Sequence, residues 1–277
     1  MSVLTVSRGV LAAALVVLPS SAFAADTLYP TTVAPVRLTT ASYGQEFNTL
    51  ATSGTSAVLP AGWQVFEGAA NGNAVYTAGD GSGNAGTAYS FGTGTSTERA
   101  LGSLTSGNLT PVYLGAFFTN GFGAAITGLS FQYTGEQWRL GNNAADGLTF
   151  QYSLNATAVN NGTWTNLSSL NFAPLVTGGA TGTAAALDGN AAANRLLRTG
   201  SLAGLNIVNN SGFAIRWIDE DVTGNDAGLA VDDFLLTAAT AATGAVPEPA
   251  SWAMMIGGFA LVGLGLRRRR TARVAFA

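Results

Sequence analysis

Seven consecutive residues in the middle of the chain, Leu148-Thr149-Phe150-Gln151-Tyr152-Ser153-Leu154, carry apolar side chains on every second position. That period belongs to a half-buried β-strand, with Leu148, Phe150, Tyr152 and Leu154 on one sheet face and the Thr, Gln and Ser side chains on the other. Phe213-Ala214-Ile215-Arg216-Trp217 repeats the pattern. Further runs predict strands at Trp63–Phe66, Ala88–Phe91, Val112–Thr119, Leu129–Tyr133, Gln137–Leu140 and Leu229–Thr237, each bounded by Gly, Asn, Asp or Pro. So many short strands at such spacing predict an all-β chain, an antiparallel β-sandwich of jelly-roll type. The 36 glycines among 277 residues suit a chain of strands and turns. The stretch from Ala173 to Ala193 is rich in Ala, Gly and Thr, contains Pro174 and lacks the alternation, so it reads as a long loop on the sandwich.

The chain has no cysteine, no histidine and no lysine. Disulfide frameworks, thiol nucleophiles, His-based acid-base chemistry and zinc sites of the Cys/His kind are therefore excluded within it. Between Ala25 and Ala245 fourteen carboxylates face six arginines, a net charge of −8 that the whole-chain value of −3 conceals. Nucleic acid requires a basic surface, so this balance speaks against it and suits a soluble, cation-attracting surface outside the cell.

The two ends set the compartment. Met1 to Ala24 has one early cation, Arg8, an apolar run from Val10 to Leu18, then Pro19 and Ala22-Phe23-Ala24 before Ala25. The run is too short to span a bilayer, and Ala22 and Ala24 offer the small side chains that a signal peptidase selects, which predicts a signal peptide over 1–24 cut before Ala25. The other end reads Val246-Pro247-Glu248-Pro249-Ala250-Ser251-Trp252-Ala253, continues through uncharged residues to Leu266, and meets Arg267, Arg268, Arg269 and Arg270. The prolines keep the backbone extended and unpaired for a processing enzyme. The 17 uncharged residues from Ala250 to Leu266 sit at the lower limit for a transmembrane helix, with Trp252 at one interface and the arginines as a cytoplasmic stop at the other.

This C-terminus resembles the PEP-CTERM sorting signal, in its variant Pro-Glu-Pro-x-x-Trp-Ala followed by an apolar span and an arginine cluster. Val246, Pro247, Glu248, Pro249, Trp252, Ala253 and Arg267 to Arg270 all stand at the motif's places. The resemblance implies a precursor held briefly in the inner membrane, cleavage by an exosortase near Pro-Glu-Pro, and delivery to the cell surface of a bacterium that makes exopolysaccharide. An unprocessed membrane anchor is the competing reading of the same residues. The intervening chain, through Leu59-Pro60-Ala61-Gly62-Trp63, Gly135-Glu136-Gln137-Trp138-Arg139 and Gly228-Leu229-Ala230-Val231-Asp232-Asp233-Phe234, is similar to bacterial extracellular jelly-roll modules. The organisation expected is a signal peptide at 1–24, a sandwich ectodomain at 25–237, a linker at 238–245, the sorting signal at 246–270 and a cytoplasmic tail at 271–277.

Three groups of residues stand out as candidate sites. Asp219, Asp221, Asp226, Asp232 and Asp233 belong to a run in which six carboxylates fall within 15 residues. Their repulsion is relieved either by a hard cation, calcium above all, or by solvation as an acidic turn. The alternation sends Asp232 and Asp233 to opposite faces unless a bulge intervenes. Glu136, Trp138 and Arg139, together with Trp217, offer either a sugar-binding face or core packing with an Arg–carboxylate pair. Glu67, Glu98, Glu136 and the acidic run supply carboxylates for a glycosidase pair, but no sequence rule selects one. The expectation is a non-catalytic, exosortase-sorted surface or exopolysaccharide-associated protein with a structural or adhesive role. The alternatives are a carbohydrate-binding module and, further off, a glycan-active hydrolase.

Overall fold

The computed structural model describes residues 26–143, 145–178, 183–241 and 249–271. Two sheets face each other. The first holds β1 (Thr27–Tyr29), β5 (Trp63–Glu67), β9 (Val112–Asn120), β14 (Gly212–Asp219), β11 (Leu148–Ser153) and β12 (Thr165–Asn166) in that order, with β2 (Val36–Leu38) joined in parallel to β9. The second runs β13 (Arg195–Ile207), β10 (Ile126–Arg139), β15 (Gly228–Thr240), β8 (Ala100–Leu104), β7 (Thr87–Phe91), β6 (Tyr76–Gly79) and β4 (Thr55–Ser56), with β3 (Ser42–Gln45) also paired to β15. The pairing is antiparallel apart from β2 with β9 and β6 with β7. The chain is an all-β sandwich.

The alternating residues do as their period requires. On β14, Phe213, Ile215 and Trp217 turn into the space between the sheets, while Ala214 joins a smaller cluster on the outside. On β11, Leu148 and Phe150 enter the main core, but the pattern fails at its end, where Ser153 is buried and Leu154 is 53% exposed. The core centres on aromatic rings. Trp63 and Trp217 lie nearly parallel with centroids 6.0 Å apart, Phe234 meets both edge-on, and Tyr133 and Phe150 meet Trp217 the same way at 5.1 Å. Such edge and offset contacts each add about 0.5–1.5 kcal/mol to the burial itself.

Strand β15 organises the second sheet. One edge pairs with β10 along nearly its whole length, and the other is shared, Leu229–Val231 with β8 and Phe234–Thr237 with β3. Between the two stretches Asp233 takes a left-handed φ of +49° and the register against β10 slips by one residue. This bulge keeps Val231 and Phe234 on the same face, in the core, and leaves Asp232 buried on the outer face and Asp233 exposed.

Two expectations change in detail. The pair of strands read at Leu129–Tyr133 and Gln137–Leu140 is one strand, β10, because Gly135 is not a turn: a Cβ there would sit 2.5 Å from the Phe172 ring, so the glycine admits that ring against the strand. The last strand runs to Thr240, into the segment read as a linker from 238. The described residues between Ala173 and Ala193 form no strand and are pinned by bridges Gly141–Thr177 and Arg139–Ala186 and by Gln137, whose Oε1 accepts the N–H groups of Leu175 and Val176 at 2.9 Å.

The C-terminal segment forms a helix, α1 (Pro249–Thr271), 23 residues long. Trp252, Met254, Phe259 and Leu261 are all more than half exposed, and the segment is apolar on every side rather than along one stripe. Among the described residues no helix is long and apolar enough to cross a membrane. Seventeen residues at about 1.5 Å each reach roughly 25 Å against a hydrocarbon core of about 30 Å, and four glycines dilute the run. The signal-cleavage residues Ala22, Ala24 and Ala25, the motif residues Val246, Pro247 and Glu248, and the tail from 272 lie outside the described residues.

Candidate functional site

The second sheet carries a group of three carboxylates on its outer face. Glu136 on β10 pairs across the strands with Ala230, and Thr134 with Asp232, so the alternation brings Glu136 and Asp232 to the same face one step apart along the ladder. Glu98, just ahead of β8, completes the group because β8 is the next strand over from β15. Donor oxygens of the three lie within 4.8 Å of one another, and among the described residues no other trio of metal-ligating side chains converges so closely. Glu136 is 1% and Asp232 4% exposed, whereas Glu98 is half-buried.

Hydrogen bonds hold two of these carboxylates from behind. The Trp138 indole N–H donates to Glu136 Oε2 at 2.8 Å, and the Asn190 amide donates to Glu98 Oε2. Trp138 itself is closed in. Its ring stacks on Phe91 at 5.9 Å, its carbonyl accepts the Leu187 N–H at 2.8 Å, and Gly189 lies against the indole where a Cβ would come within 2.3 Å. Asp232 Oδ1 is buried with no hydrogen-bond partner. Burial, reinforced by Glu98, raises the Glu136 carboxyl to about 8 against the pull of the indole bond. Burial, reinforced by the neighbouring carboxylates, lifts Asp232 to about 9.

A second acidic group gathers where β14 ends. Asp219 is buried, and its Oδ2 accepts the Ser103 hydroxyl at 2.6 Å. Asp146 accepts the N–H groups of Gly147 at 2.7 Å and Ala227 at 2.6 Å, and Asp226 accepts that of Val222 at 3.1 Å. Burial raises all three carboxyls, Asp226 to about 7, and their mutual repulsion adds to it. These aspartates act mainly as acceptors for the loop that turns from β14 into β15.

The five aspartates expected to form one cation site are therefore divided. Asp219, Asp221 and Asp226 sit with Asp146 at the sheet end, Asp232 faces Glu98 and Glu136, and Asp233 is exposed at the bulge. The sugar-binding face drawn from Glu136, Trp138, Arg139 and Trp217 is also corrected. Both indoles are 0% exposed, Trp217 in the core between the sheets and Trp138 under the loop, so neither offers a ring face to a pyranose. Arg139 spends its guanidinium on the carbonyls of Gly81 and Ser82 at 2.9 and 3.1 Å. Arg216 lies between the rings of Tyr113 and Trp164, 4.3 Å from each centroid, an arrangement that strand alternation alone does not foresee.

Fold and clusters together define an all-β sandwich protein with two separate groups of largely buried carboxylates. Residues 245–270 match the PEP-CTERM protein-sorting motif, so the chain carries the sorting signal of an exported protein that an exosortase processes. No curated protein sequence matches the chain. Among solved structures it is similar to TmCBM61 in complex with β-1,4-galactotriose, at 10% identity over 51% of this chain and 72% of that one with a TM-score of 0.26. It is also similar to a conserved carbohydrate esterase from the Shiga toxin-encoding bacteriophage phi24B, at 12% identity over 65% and 91% of the two chains with a TM-score of 0.25. At these scores neither likeness bears on function.

Proposed function

We propose that this chain is a structural or adhesive component of the bacterial cell surface or exopolysaccharide matrix, made as a precursor with a leader at its N-terminus and a membrane-held sorting signal at its C-terminus, and without catalytic activity of its own. The observation that carries the reading is the sorting motif at 245–270. The exposed apolar surface of α1 supports it, since a helix apolar on all sides has no stable place against water. Although short for a bilayer, such a helix is accommodated by local thinning and by arginines reaching to the interface, each at modest cost. The acidic ectodomain, at −8 between Ala25 and Ala245, suits a solvated surface that attracts cations.

The test is mass spectrometry of the mature protein from its own host, with and without exosortase activity. The expected result is an N-terminus near Ala25 and loss of everything beyond Pro247 to Pro249 only where the exosortase is active. A C-terminus intact through Ala277 in both strains would sink the sorting reading and leave a plain surface anchor.

A further inference from the structure

We propose that Glu98, Glu136 and Asp232 bind a calcium ion that ties the loop carrying Asn190 to the outer face of the second sheet. This rests on the geometry of the sandwich alone and does not depend on how the chain is sorted.

Distance is the first argument. Calcium takes oxygen ligands at about 2.4 Å, so any two oxygens on one ion lie no more than about 4.8 Å apart. The three carboxylates already meet that limit in pairs. Charge is the second. Two of the three groups are almost wholly buried, and among the described residues no arginine forms an ion pair with any of them. Arg195, opposite Glu136 on β13, acts on it only through space from an exposed position, and the buried Arg99 acts on Glu98 in the same way. A buried charge set of this kind is held by a cation or by protons, and the two make different demands on the oxygens.

Asp232 bears on the choice. Its Oδ1 is buried with no hydrogen-bond partner, as is Asp219 Oδ1 at the other group, but only Asp232 also belongs to a trio of carboxylates that converge within 4.8 Å, which suits a cation ligand. The Trp138 indole and the Asn190 amide meanwhile fix Glu136 and Glu98 from outside, as outer partners orient the ligands of a metal. The ion enters past Glu98, the half-buried member. All three donors are hard oxygens, and the chain has neither histidine nor cysteine to favour zinc or copper. Calcium fits better than magnesium because it accepts irregular and bidentate carboxylates, whereas magnesium holds to a strict octahedron.

The experiment uses the full chain, stripped with chelator, then titrated with calcium or magnesium while its melting temperature is followed. Terbium emission excited through the indoles gives a second reading, because Trp138 touches a ligand directly. The expected result is a saturable rise of about 5 °C with calcium and much less with magnesium, together with terbium emission that calcium displaces. Glu98→Gln, the least buried change, and Asp232→Asn are expected to weaken calcium about tenfold or more, while Asp226→Asn leaves it unaltered. No calcium-dependent shift in the wild-type chain, an equal response to magnesium, or a calcium response that E98Q and D232N both retain would each overturn the assignment. The wild-type titration and the terbium signal need no variant to fold.

Discussion

The two buried acidic groups are built from the same chemistry and differ in where their oxygens point. At the end of β14, Asp146 takes the N–H groups of Gly147 and Ala227, Asp226 takes that of Val222, and Asp219 takes the Ser103 hydroxyl, so each carboxylate has at least one protein donor. On the outer face of the second sheet, Glu98, Glu136 and Asp232 aim oxygens at one another and keep only one outside donor each on the two glutamates. Burial alone therefore says little about an acidic residue's task. The first arrangement is a fastening, although Asp219 Oδ1 is left without a partner, while the second brings three carboxylates together.

The largest test of that contrast is to remove a carboxylate from each group. Asp146→Ala leaves the buried N–H of Ala227 and that of Gly147 without an acceptor, and is expected to cost about 2–4 kcal/mol in a urea unfolding series. Glu98→Gln measured in chelator is expected to stay within about 0.5 kcal/mol of the parent, since the amide oxygen still accepts from Asn190 and a repelling charge is gone. A large loss in E98Q would break the contrast.

A smaller effect is expected from pH. Asp226 is raised from the ordinary carboxylate value of 3.8 to about 7, and burial raises Asp146 and Asp219 in the same direction. The folded chain then holds protons that the unfolded chain has released, so this contribution is fully present below about pH 4 and is lost as pH rises through about 7. Melting temperatures in chelator should fall across that window, and Asp226→Asn should flatten the fall. A melting temperature that climbs between pH 4 and 7 in both chains would contradict the assignment. The smallest effect belongs to the bulge. Asp233→Gly relieves a left-handed backbone at φ +49° and is expected to change stability by no more than about 0.5–1 kcal/mol, with calcium affinity unaltered because Asp233 lies outside the convergent three.

Legibility in the sequence followed burial geometry. Strands with one face in the core announced themselves, as at Phe213, Ile215 and Trp217, because a single buried face imposes a period of two. Strand β13 did not: most of its residues between Arg195 and Ile207 are exposed or half-exposed, so its strand form comes from pairing with β10 rather than from its own pattern. Gly135 misled in the other direction, since a glycine admitting Phe172 looks in sequence like one making a turn. Of the candidate cation ligands, Asp232 was already named as one but with other partners, Glu136 was named as part of a sugar-binding face, and the bulge that separates Asp232 from Asp233 was legible only as a condition. No local signal joins Glu98 to them. The link is topological, made by placing β15 between β10 and β8.

That placement has a mechanical side. β15 is the last strand before the sorting segment, and it is gripped by β10 on one edge and by β8 and β3 on the other. A pull delivered at its C-terminal end acts along the strand, so the flanking ladders are loaded in shear and must yield together rather than open one bond at a time. A load from that end meets a strand held along both of its edges.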